Sequence, residues 1–274
     1  MTKTVLITGA TGGLGNATSQ QLVANGWHVF AADFDRDALA KLEGQSNITP
    51  VFIDVTDTAT IEAALATVQE HADGLDAIVN FAGILAIGSM VEIAEATMAR
   101  VLDVNVMGTF RVNRVFFPMI KVRRGRIVNI SSETGWQSGA PFNGAYASSK
   151  HCIEAYTDSL RRELALLDIV VIKIQPGPFK TEMVGSIETN FSKAAAASEQ
   201  FGDVLAYMKE KAVQEGAKGH DPAELAAVIH EALTVASPKP AYSVKPDRAR
   251  SLLEYLPTRW ADALIKKVLS PSKG

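Results

Sequence analysis

Six short apolar runs, rich in β-branched residues, recur along the chain and alternate with segments of helical spacing. The runs stay apolar throughout, which is typical of strands that are covered on both faces of a sheet. Alternating strands and helices predict βαβ units and a parallel sheet, because parallel strands need long crossover connections. We therefore predict an α/β fold: a doubly wound parallel β-sheet with helices on both faces. The predicted strands are residues 4–7, 28–32, 50–53, 75–79, 126–130 and 169–174.

Glycine and proline are spread evenly and no linker-like stretch divides the chain, so residues 1–274 are predicted to form a single domain. Residues 182–220 interrupt the pattern, with two helical stretches where the next strand is due. An insertion after the carboxyl end of a strand is well placed to be a helical substrate lid. The tail at 247–269 carries apolar residues at helical spacing. Such a tail packs on its own domain or on a sister subunit, with contact to a membrane surface as the less favoured alternative.

Composition and charge exclude several classes of function. With 27 Lys and Arg against 30 Asp and Glu, the net charge is −3, so the chain lacks the basic excess of nucleic-acid-binding proteins. No apolar run approaches the roughly 20 residues of a transmembrane helix, and we expect no integral membrane association. Five scattered histidines lack metal-ligand spacing, so we expect no metal.

The lone cysteine, Cys152, is expected to be a buried thiol and fits a reducing compartment. With the first strand starting too early for a signal peptide, we expect a cytoplasmic enzyme.

Residues 8–15, Thr-Gly-Ala-Thr-Gly-Gly-Leu-Gly, link the first predicted strand to the first helix. Glycines there let backbone N–H groups approach a pyrophosphate, although a glycine-rich turn without a ligand is the alternative. The second strand ends at Asp33, where a carboxylate can accept both adenosine ribose hydroxyls and repel a 2′-phosphate. Arg36 is the only nearby cation, so NAD is the predicted cofactor and NADP is less favoured. Asp54 could accept the adenine amino group, but Asp54 or Asp57 could equally cap the next helix.

Tyr146 and Lys150 stand four residues apart at the start of a long predicted helix, and so share one face. An ammonium group near a phenol favours the phenolate, so we expect the pKa of Tyr146 to lie below its ordinary value of about 10. A phenol tuned in this way can exchange a proton with an alcohol or ketone near neutral pH. Tyr/Lys pairs are also common on helix surfaces, so the pair alone leaves a structural role open.

Seven motifs in order carry a resemblance to the short-chain dehydrogenase/reductase family, in its single-domain branch, over residues 3 to about 181. They are the loop at 8–15, Asp54, Asn80-Phe81-Ala82-Gly83, Asn105, Asn129-Ile130-Ser131-Ser132, Tyr146 with Lys150, and Pro176-Gly177 with Thr181. The resemblance implies a Rossmann-type sheet and hydride transfer between a nicotinamide cofactor and a carbonyl or alcohol.

The resemblance also implies roles for individual residues. Tyr146 would exchange the substrate proton, Lys150 would lower the pKa of Tyr146 and bind the nicotinamide ribose, and Ser132 would hydrogen-bond the substrate oxygen. Asn105, on the fourth helix, would hold a water that links Lys150 to solvent, and Thr181 would reach the nicotinamide amide. The implied cofactor-binding residues are Gly9, Thr11, Gly13, Leu14, Gly15, Asp33, Asp54, Val55, Asn80, Ala82, Gly83, Tyr146, Lys150, Pro176, Gly177 and Thr181.

Three features depart from the family pattern or leave it ambiguous. Phe81 stands where the family has a small or amide residue after Asn80. Ser131 and Ser132 are adjacent, and neighbouring strand residues point to opposite faces, so only one can reach the substrate; the family pattern favours Ser132. The loop from Ser132 to Tyr146 is one residue longer than usual, and Glu133 within it is expected to be a solvated carboxylate.

The predicted function is NAD(H)-dependent hydride transfer to or from a hydrophobic secondary alcohol or ketone, retinoid- or steroid-like by a loose similarity of the C-terminal part. Two alternatives are an NADP(H)-linked carbonyl reductase of the same fold and a non-catalytic NAD(H)-binding regulator; the intact Ser132, Tyr146 and Lys150 argue against the regulator. The residues that fall where family members line the substrate cleft include Trp136, Phe142, Phe179 and Met183.

A homodimer or homotetramer is predicted, and no nucleic-acid partner. Family members commonly pair through the helices that correspond to residues 98–120 and 147–166 here. Four valines in the first of these segments are expected to provide apolar surface beyond what one sheet face needs. They are Val101, Val104, Val112 and Val115.

Overall fold

The computed structural model describes residues 2–180, 182–216 and 218–270, except the side chains at 182–185 and 215–216. The strands are β1 (Lys3–Thr8), β2 (Trp27–Asp33), β3 (Ile48–Phe52), β4 (Ala77–Asn80), β5 (Arg126–Ile130), β6 (Val170–Pro176) and β7 (Ala241–Val244). The helices are α1 (Gly13–Ala24), α2 (Arg36–Ala40), α3 (Thr58–His71), α4 (Glu95–Leu102), α5 (Thr109–Arg123), α6 (Gly144–Leu164), α7 (Glu182–Ala197), α8 (Gly202–Gly216), α9 (Pro222–Thr234), α10 (Arg248–Leu253) and α11 (Thr258–Leu269).

The strands form one parallel sheet in the order β3-β2-β1-β4-β5-β6-β7. The chain winds outward from β1 to β3, returns to place β4 beside β1, and winds outward the other way. The predicted doubly wound α/β fold is confirmed, and its switch point lies between β1 and β4. The six predicted runs correspond to β1–β6. The sequence did not predict β7, because Ala-Tyr-Ser-Val is short and half polar at the sheet edge.

Two apolar clusters cover the two faces of this sheet. Along β1, Val5 and Ile7 belong to one cluster with residues of α1 and α9, while Leu6 belongs to the other with residues of α3 and α5. This alternation follows from the strand pleat, which sends successive side chains to opposite faces. Because both faces are covered, the loops at the carboxyl ends of the strands are left as the polar edge of the sheet.

Side-chain burial corrects two expectations. The four valines do not supply apolar surface: three are buried, two of these in the cluster that contains residues of α3 and α5, and the fourth is partly buried against that cluster. These valines help to cover one face of the sheet. The exposed apolar side chains of residues 98–120 are instead Met107 and Phe110. The free thiol of Cys152 is exposed on α6 and not buried. The corrected valines are Val101, Val104, Val112 and Val115.

The segment expected to form a lid contains the helix pair α7 and α8. The turn between them is held by Glu92, in the loop after β4. One carboxylate oxygen of Glu92 accepts the Ser198 hydroxyl at 2.6 Å, and the other accepts the backbone N–H groups of Glu199 and Gln200 at 3.2 and 2.9 Å. The helix pair is thus tied to a loop beside the carboxyl edge of β4.

The C-terminal segment forms α10 and α11. Asp247 begins α10 by accepting the backbone N–H groups of Ala249 and Arg250. On α11 the apolar side chains of Trp260 and Leu264 are exposed, with 68 % and 51 % of their surface accessible. Within the described residues, no helix is both long and apolar enough to cross a membrane.

Candidate active site

The motif residues converge at the carboxyl edge of the sheet. Thr8 ends β1, Asn80 ends β4, and Ser131 and Ser132 follow β5. In open parallel sheets, ligands bind in the crevice outside the carboxyl ends of the strands at the switch point. The switch between β1 and β4 therefore marks the centre of the candidate site.

The glycine loop after β1 is shaped for close backbone approach. Gly9 has φ of +67°, and a Cβ there would lie 2.9 Å from the backbone nitrogen of Ala82. A Cβ on Gly15 would collide with the Gly9 carbonyl oxygen. Helix α1 starts at Gly13, and among the described residues no side chain caps it. Its first N–H groups and the positive end of its dipole can therefore receive an anion.

Asp33 ends β2 with its carboxylate against this loop. Oδ2 accepts the backbone N–H and the hydroxyl of Thr11, at 3.1 and 2.7 Å. Oδ1 accepts the backbone N–H groups of Phe34 and Asp35, at 2.8 and 3.3 Å. These four bonds fix a negative charge beside the loop, at the position where the sequence predicted a ribose-binding acid.

Asp54 and Val55 follow β3, further along the same edge. Asp54 Oδ1 accepts the hydroxyl and the backbone N–H of Thr56, at 2.7 and 2.9 Å. Burial raises the pKa of Asp54, but the two Thr56 bonds and nearby arginines outweigh it and lower the pKa below its ordinary value. The cap of α3 is Asp57, which accepts the backbone N–H of Ala59. Asp54 is thus not the helix cap, and Val55 is buried in the core.

After β4, residues 80–83 lie across from the glycine loop. The Asn80 amide donates to Asn113 Oδ1 and Asn129 Oδ1, at 2.8 and 2.9 Å, so it joins β4 to α5 and β5. Its Oδ1 is buried without a partner among the described residues. The Ala82 backbone N–H donates to the Thr8 hydroxyl at 3.3 Å, which ties the two loops together.

Asn105 lies in a π-helical turn, Asp103–Gly108, between α4 and α5, and not within the fourth helix. Its Oδ1 accepts the Ile84 backbone N–H at 2.7 Å, and its amide donates to the Ile84 carbonyl and the Ser149 hydroxyl. A Cβ on Gly83 would lie 3.3 Å from Asn105 Oδ1. The turn thus connects the loop after β4 to the helix that carries Tyr146. π-Turns of this kind frequently mark functional sites.

Ser132, Tyr146 and Lys150 form the central polar group. The Ser132 hydroxyl lies beside the Tyr146 phenol and lowers its pKa through hydrogen bonding. The Lys150 ammonium lies 5.5 Å from the centre of the Tyr146 ring and donates to the Ile130 carbonyl at 2.9 Å. The Ser131 hydroxyl instead turns toward the backbone of α6, where it donates to the Lys150 carbonyl at 3.5 Å. The structure therefore brings Ser132, and not Ser131, to the tyrosine.

The electrostatics of this group differ from the sequence expectation. Burial raises the pKa of Tyr146 to about 12; the Ser132 bond lowers it and the negative charge of Glu133 raises it. Burial lowers the pKa of Lys150 to about 8, although the Glu154 charge partly opposes this. The expected lowering of the phenol pKa is therefore not found in the protein alone. Desolvation, which disfavours the charged phenolate, is the largest of these influences on Tyr146.

The loop after β6 completes the edge. The Gly177 backbone N–H donates to the Val244 carbonyl at 2.9 Å, and a Cβ on Gly177 would collide with the Lys245 carbonyl oxygen. Pro176 is the last residue of β6. Thr181, expected to reach the nicotinamide amide, lies outside the described residues.

The four aromatic and apolar residues expected in the substrate cleft have different surroundings. Trp136 is partly exposed in the loop after Ser132. Phe142 is half-buried and makes an edge contact with Phe201, the residue before α8, with ring centres 5.4 Å apart. Phe179 is buried in the core cluster beside α9, so it is part of the core and not of an open wall. The side chain of Met183 lies outside the described residues.

Glu133 has surroundings that the sequence did not predict. It is 8 % exposed, and its Oε2 accepts the Asp247 backbone N–H at 2.6 Å. The expectation of a solvated carboxylate is wrong, because the C-terminal segment covers it. The two residues are separated by 114 positions, so the sequence carries no local signal for this contact.

The chain is similar to known oxidoreductases in sequence. The family model for short chain dehydrogenase matches residues 3–191. Short-chain dehydrogenase/reductase family 9C member 7 of Bos taurus is 38 % identical over 67 % of this chain and 59 % of the relative. Retinol dehydrogenase 16 of Homo sapiens is 33 % identical over 99 % of this chain and 90 % of its own length. The human 17-beta-hydroxysteroid dehydrogenase type 6 is 31 % identical over 97 % and 88 %.

Solved structures have the same architecture. A short-chain dehydrogenase from Streptomyces avermitilis superposes with a TM-score of 0.79, at 26 % identity over 98 % of this chain and 97 % of the other. A single-residue variant of the actinorhodin polyketide ketoreductase with NADPH gives a TM-score of 0.75, at 27 % identity over 89 % and 95 %. The likeness to the first of these extends over nearly the whole chain.

Proposed function

Because the chain belongs to the short chain dehydrogenase family and is an oxidoreductase of CH–OH groups, we propose that it transfers a hydride between NAD(H) and a hydrophobic secondary alcohol or its ketone. The observation that carries the proposal is the grouping of three side chains: Ser132 lies beside the Tyr146 phenol, and the Lys150 ammonium lies 5.5 Å from the centre of the same ring. Together they supply a proton donor and acceptor, a second hydrogen bond for the substrate oxygen, and a positive charge.

Each of the three side chains has a separate task. Tyr146 exchanges the proton of the substrate oxygen, and its pKa of about 12 keeps the phenol protonated for donation to a ketone. Ser132 donates to the same oxygen as negative charge develops on it. Lys150 supplies charge near the phenolate when the alcohol is oxidised, and binds the nicotinamide ribose. The cofactor, when bound, supplies the hydride acceptor or donor.

NAD is proposed over NADP because of Asp33. Its carboxylate is ordered by Thr11 beside the glycine loop and would repel a 2′-phosphate. Arg36 stacks on Phe52, with its guanidinium carbon 3.6 Å from the ring centre. The polyketide ketoreductase noted above is an NADPH complex, so the proposed preference for NAD is tested by titrating both cofactors.

The substrate is proposed to be an apolar alcohol of retinoid or steroid size. The relatives include a retinol dehydrogenase and a hydroxysteroid dehydrogenase. In this chain Trp136 and the Phe142–Phe201 pair offer aromatic surface near the catalytic loop. The helix pair α7–α8, held by Glu92, is proposed as the lid over this surface, within a single domain. We propose a reducing, cytoplasmic location, supported by the lone Cys152.

The test is a panel of hydrophobic alcohols and ketones, followed by nicotinamide absorbance, with NAD(H) and NADP(H) titrated in parallel. We expect turnover with a secondary alcohol and at least about tenfold tighter binding of NAD, equivalent to about 1.4 kcal/mol. The control is Tyr146→Phe, which should lose nearly all turnover while binding NAD as the wild type does. Equal affinity for both cofactors would contradict the proposed preference for NAD. Substantial turnover by Tyr146→Phe would contradict the proposed role of Tyr146 in proton exchange.

A further inference from the structure

The loop that carries Ser132 is braced by the C-terminal segment. Ser132 accepts the Thr134 backbone N–H at 3.2 Å and so begins the 3₁₀ turn Glu133–Gly135. The same hydroxyl contacts Tyr146. The position of this turn therefore sets where the serine hydroxyl lies relative to the phenol.

Three contacts hold the turn and the residues after it against α10. Glu133 Oε2 accepts the Asp247 backbone N–H at 2.6 Å. The Gln137 amide donates to the Ser251 hydroxyl at 3.1 Å. The Ser138 backbone N–H and hydroxyl each donate to one oxygen of the Glu254 carboxylate, at 2.8 Å. Asp247, Ser251 and Glu254 are spaced by four and three residues, which places them on one face of the helical segment.

Glu133 is the member of this brace nearest the reacting groups. It is buried, and burial raises its pKa, while the Asp247 N–H bond and the charge of Arg250 lower it. Its negative charge acts on Tyr146. On the side of α6, Gly135 lies against Glu154, whose charge is balanced by an ion pair with Lys173 at 2.9 Å.

We propose that Glu133 is a positioning residue, which locks the Ser132 turn onto α10 and so holds the Ser132 hydroxyl in place. From this position its negative charge also disfavours ionisation of the Tyr146 phenol. This inference rests on the proposed function, because it assigns Ser132 and Tyr146 to the reaction. Removing the charge stabilises the phenolate, since a like charge nearby disfavours ionisation. Removing the hydrogen bond as well frees the turn and displaces the Ser132 hydroxyl.

Two variants separate these effects. Glu133→Gln keeps an oxygen for the Asp247 N–H but removes the charge. We expect the rise of kcat with pH in alcohol oxidation to move to lower pH, with little change in KM. Glu133→Ala removes both and should lower kcat by about 10–100-fold, the cost of a small misplacement of a catalytic group. Glu254→Gln is the matched control: its exposed carboxylate braces the same loop through Ser138, and we expect the midpoint of the pH profile to stay in place.

A spectroscopic readout makes the test independent of turnover. The tyrosinate absorbance that Tyr146→Phe removes is titrated in the wild type and in Glu133→Gln, with folding checked by circular dichroism. A midpoint at lower pH in Glu133→Gln supports the proposal even when no alcohol in the panel reacts, a result that would count against the proposed function alone. An unchanged midpoint in Glu133→Gln, or a shift of equal size in Glu254→Gln, overturns it.

Discussion

At the scale of single residues, the two adjacent serines after β5 have different surroundings. Ser132 contacts the phenol of Tyr146, whereas Ser131 donates to the backbone of α6. We expect Ser132→Ala to lower kcat by about 10²–10³, the cost of losing one donor to a developing oxyanion. Ser131→Ala should change kcat little, because its hydroxyl does not reach Tyr146. Steady-state kinetics of both variants checks this, and a larger loss in Ser131→Ala would reverse the assignment.

The pH dependence of ketone reduction separates Tyr146 from Lys150. With a pKa of about 12 the phenol keeps its proton at neutral and mildly alkaline pH, so loss of that proton should not limit proton donation there. Lys150, with a pKa of about 8, is charged below that pH and neutral above it. We therefore expect kcat, at saturating cofactor, to fall as pH rises through about 8. Lys150→Met should be slower throughout and lack this limb. A limb that persists in Lys150→Met would contradict the assignment.

The relative positions of these residues could be predicted from the sequence only where they lie close together along the chain. Tyr146 and Lys150 are one helical turn apart, so their shared face follows from helix geometry alone. The acidity of Tyr146 does not follow, because it depends on desolvation in the folded chain and on the nearby Ser132 and Glu133. The same is true of Glu133, whose partner at Asp247 belongs to the other end of the chain.

At the scale of elements, the turn from β1 into α1 depends on glycines with no room for a side chain. A Cβ on Gly15 would collide with the Gly9 carbonyl, a backbone atom that cannot move without distorting the loop. We expect Gly15→Ala to destabilise the protein by about 1–3 kcal/mol, as overpacking does, and to weaken NAD binding. Gly12→Ala is the control, since a Cβ there would lie 3.5 Å from the Gly9 carbonyl, an ordinary contact. Thermal melts and NAD titrations should distinguish the two; equal losses would contradict the steric explanation.

The π-turn around Asn105 shows the limit of element prediction. The family resemblance placed Asn105 on the fourth helix, and the structure instead places it in the turn between α4 and α5. The extra residue in the turn is stabilised by tertiary bonds from Asn105 to Ile84 and Ser149, which helix propensity does not encode. Strand β7 is a similar case: its four residues become a strand because the exposed edge of β6 is available for pairing.

At the scale of the whole molecule, the sheet order was predictable in kind, since apolar runs alternating with helices leave few alternatives to a doubly wound parallel sheet. Which helix faces remain uncovered was not predictable. Three of the four valines expected on the surface are buried and the fourth packs against the core, because both sheet faces need apolar cover. The exposed apolar side chains of residues 98–120 are Met107 and Phe110. Substitution of such an exposed residue, and not of a valine, is therefore the test of assembly.

The face of α5 and α6 is where we expect two copies to pair. A cavity of about 320 Å³ there is lined by Phe110, Phe117 and Leu160, among others, and Phe110 is partly exposed beside Tyr156. An isologous interface on this face would cover that apolar surface twice, once in each copy. We expect a homodimer or homotetramer in sedimentation at micromolar concentration, and dissociation on Phe110→Glu because burying an unpaired carboxylate is costly. The control is Trp260→Glu, which places the same charge on the exposed face of α11 and should leave assembly intact. A monomeric wild type, or dissociation by Trp260→Glu alone, would place the interface elsewhere or remove it.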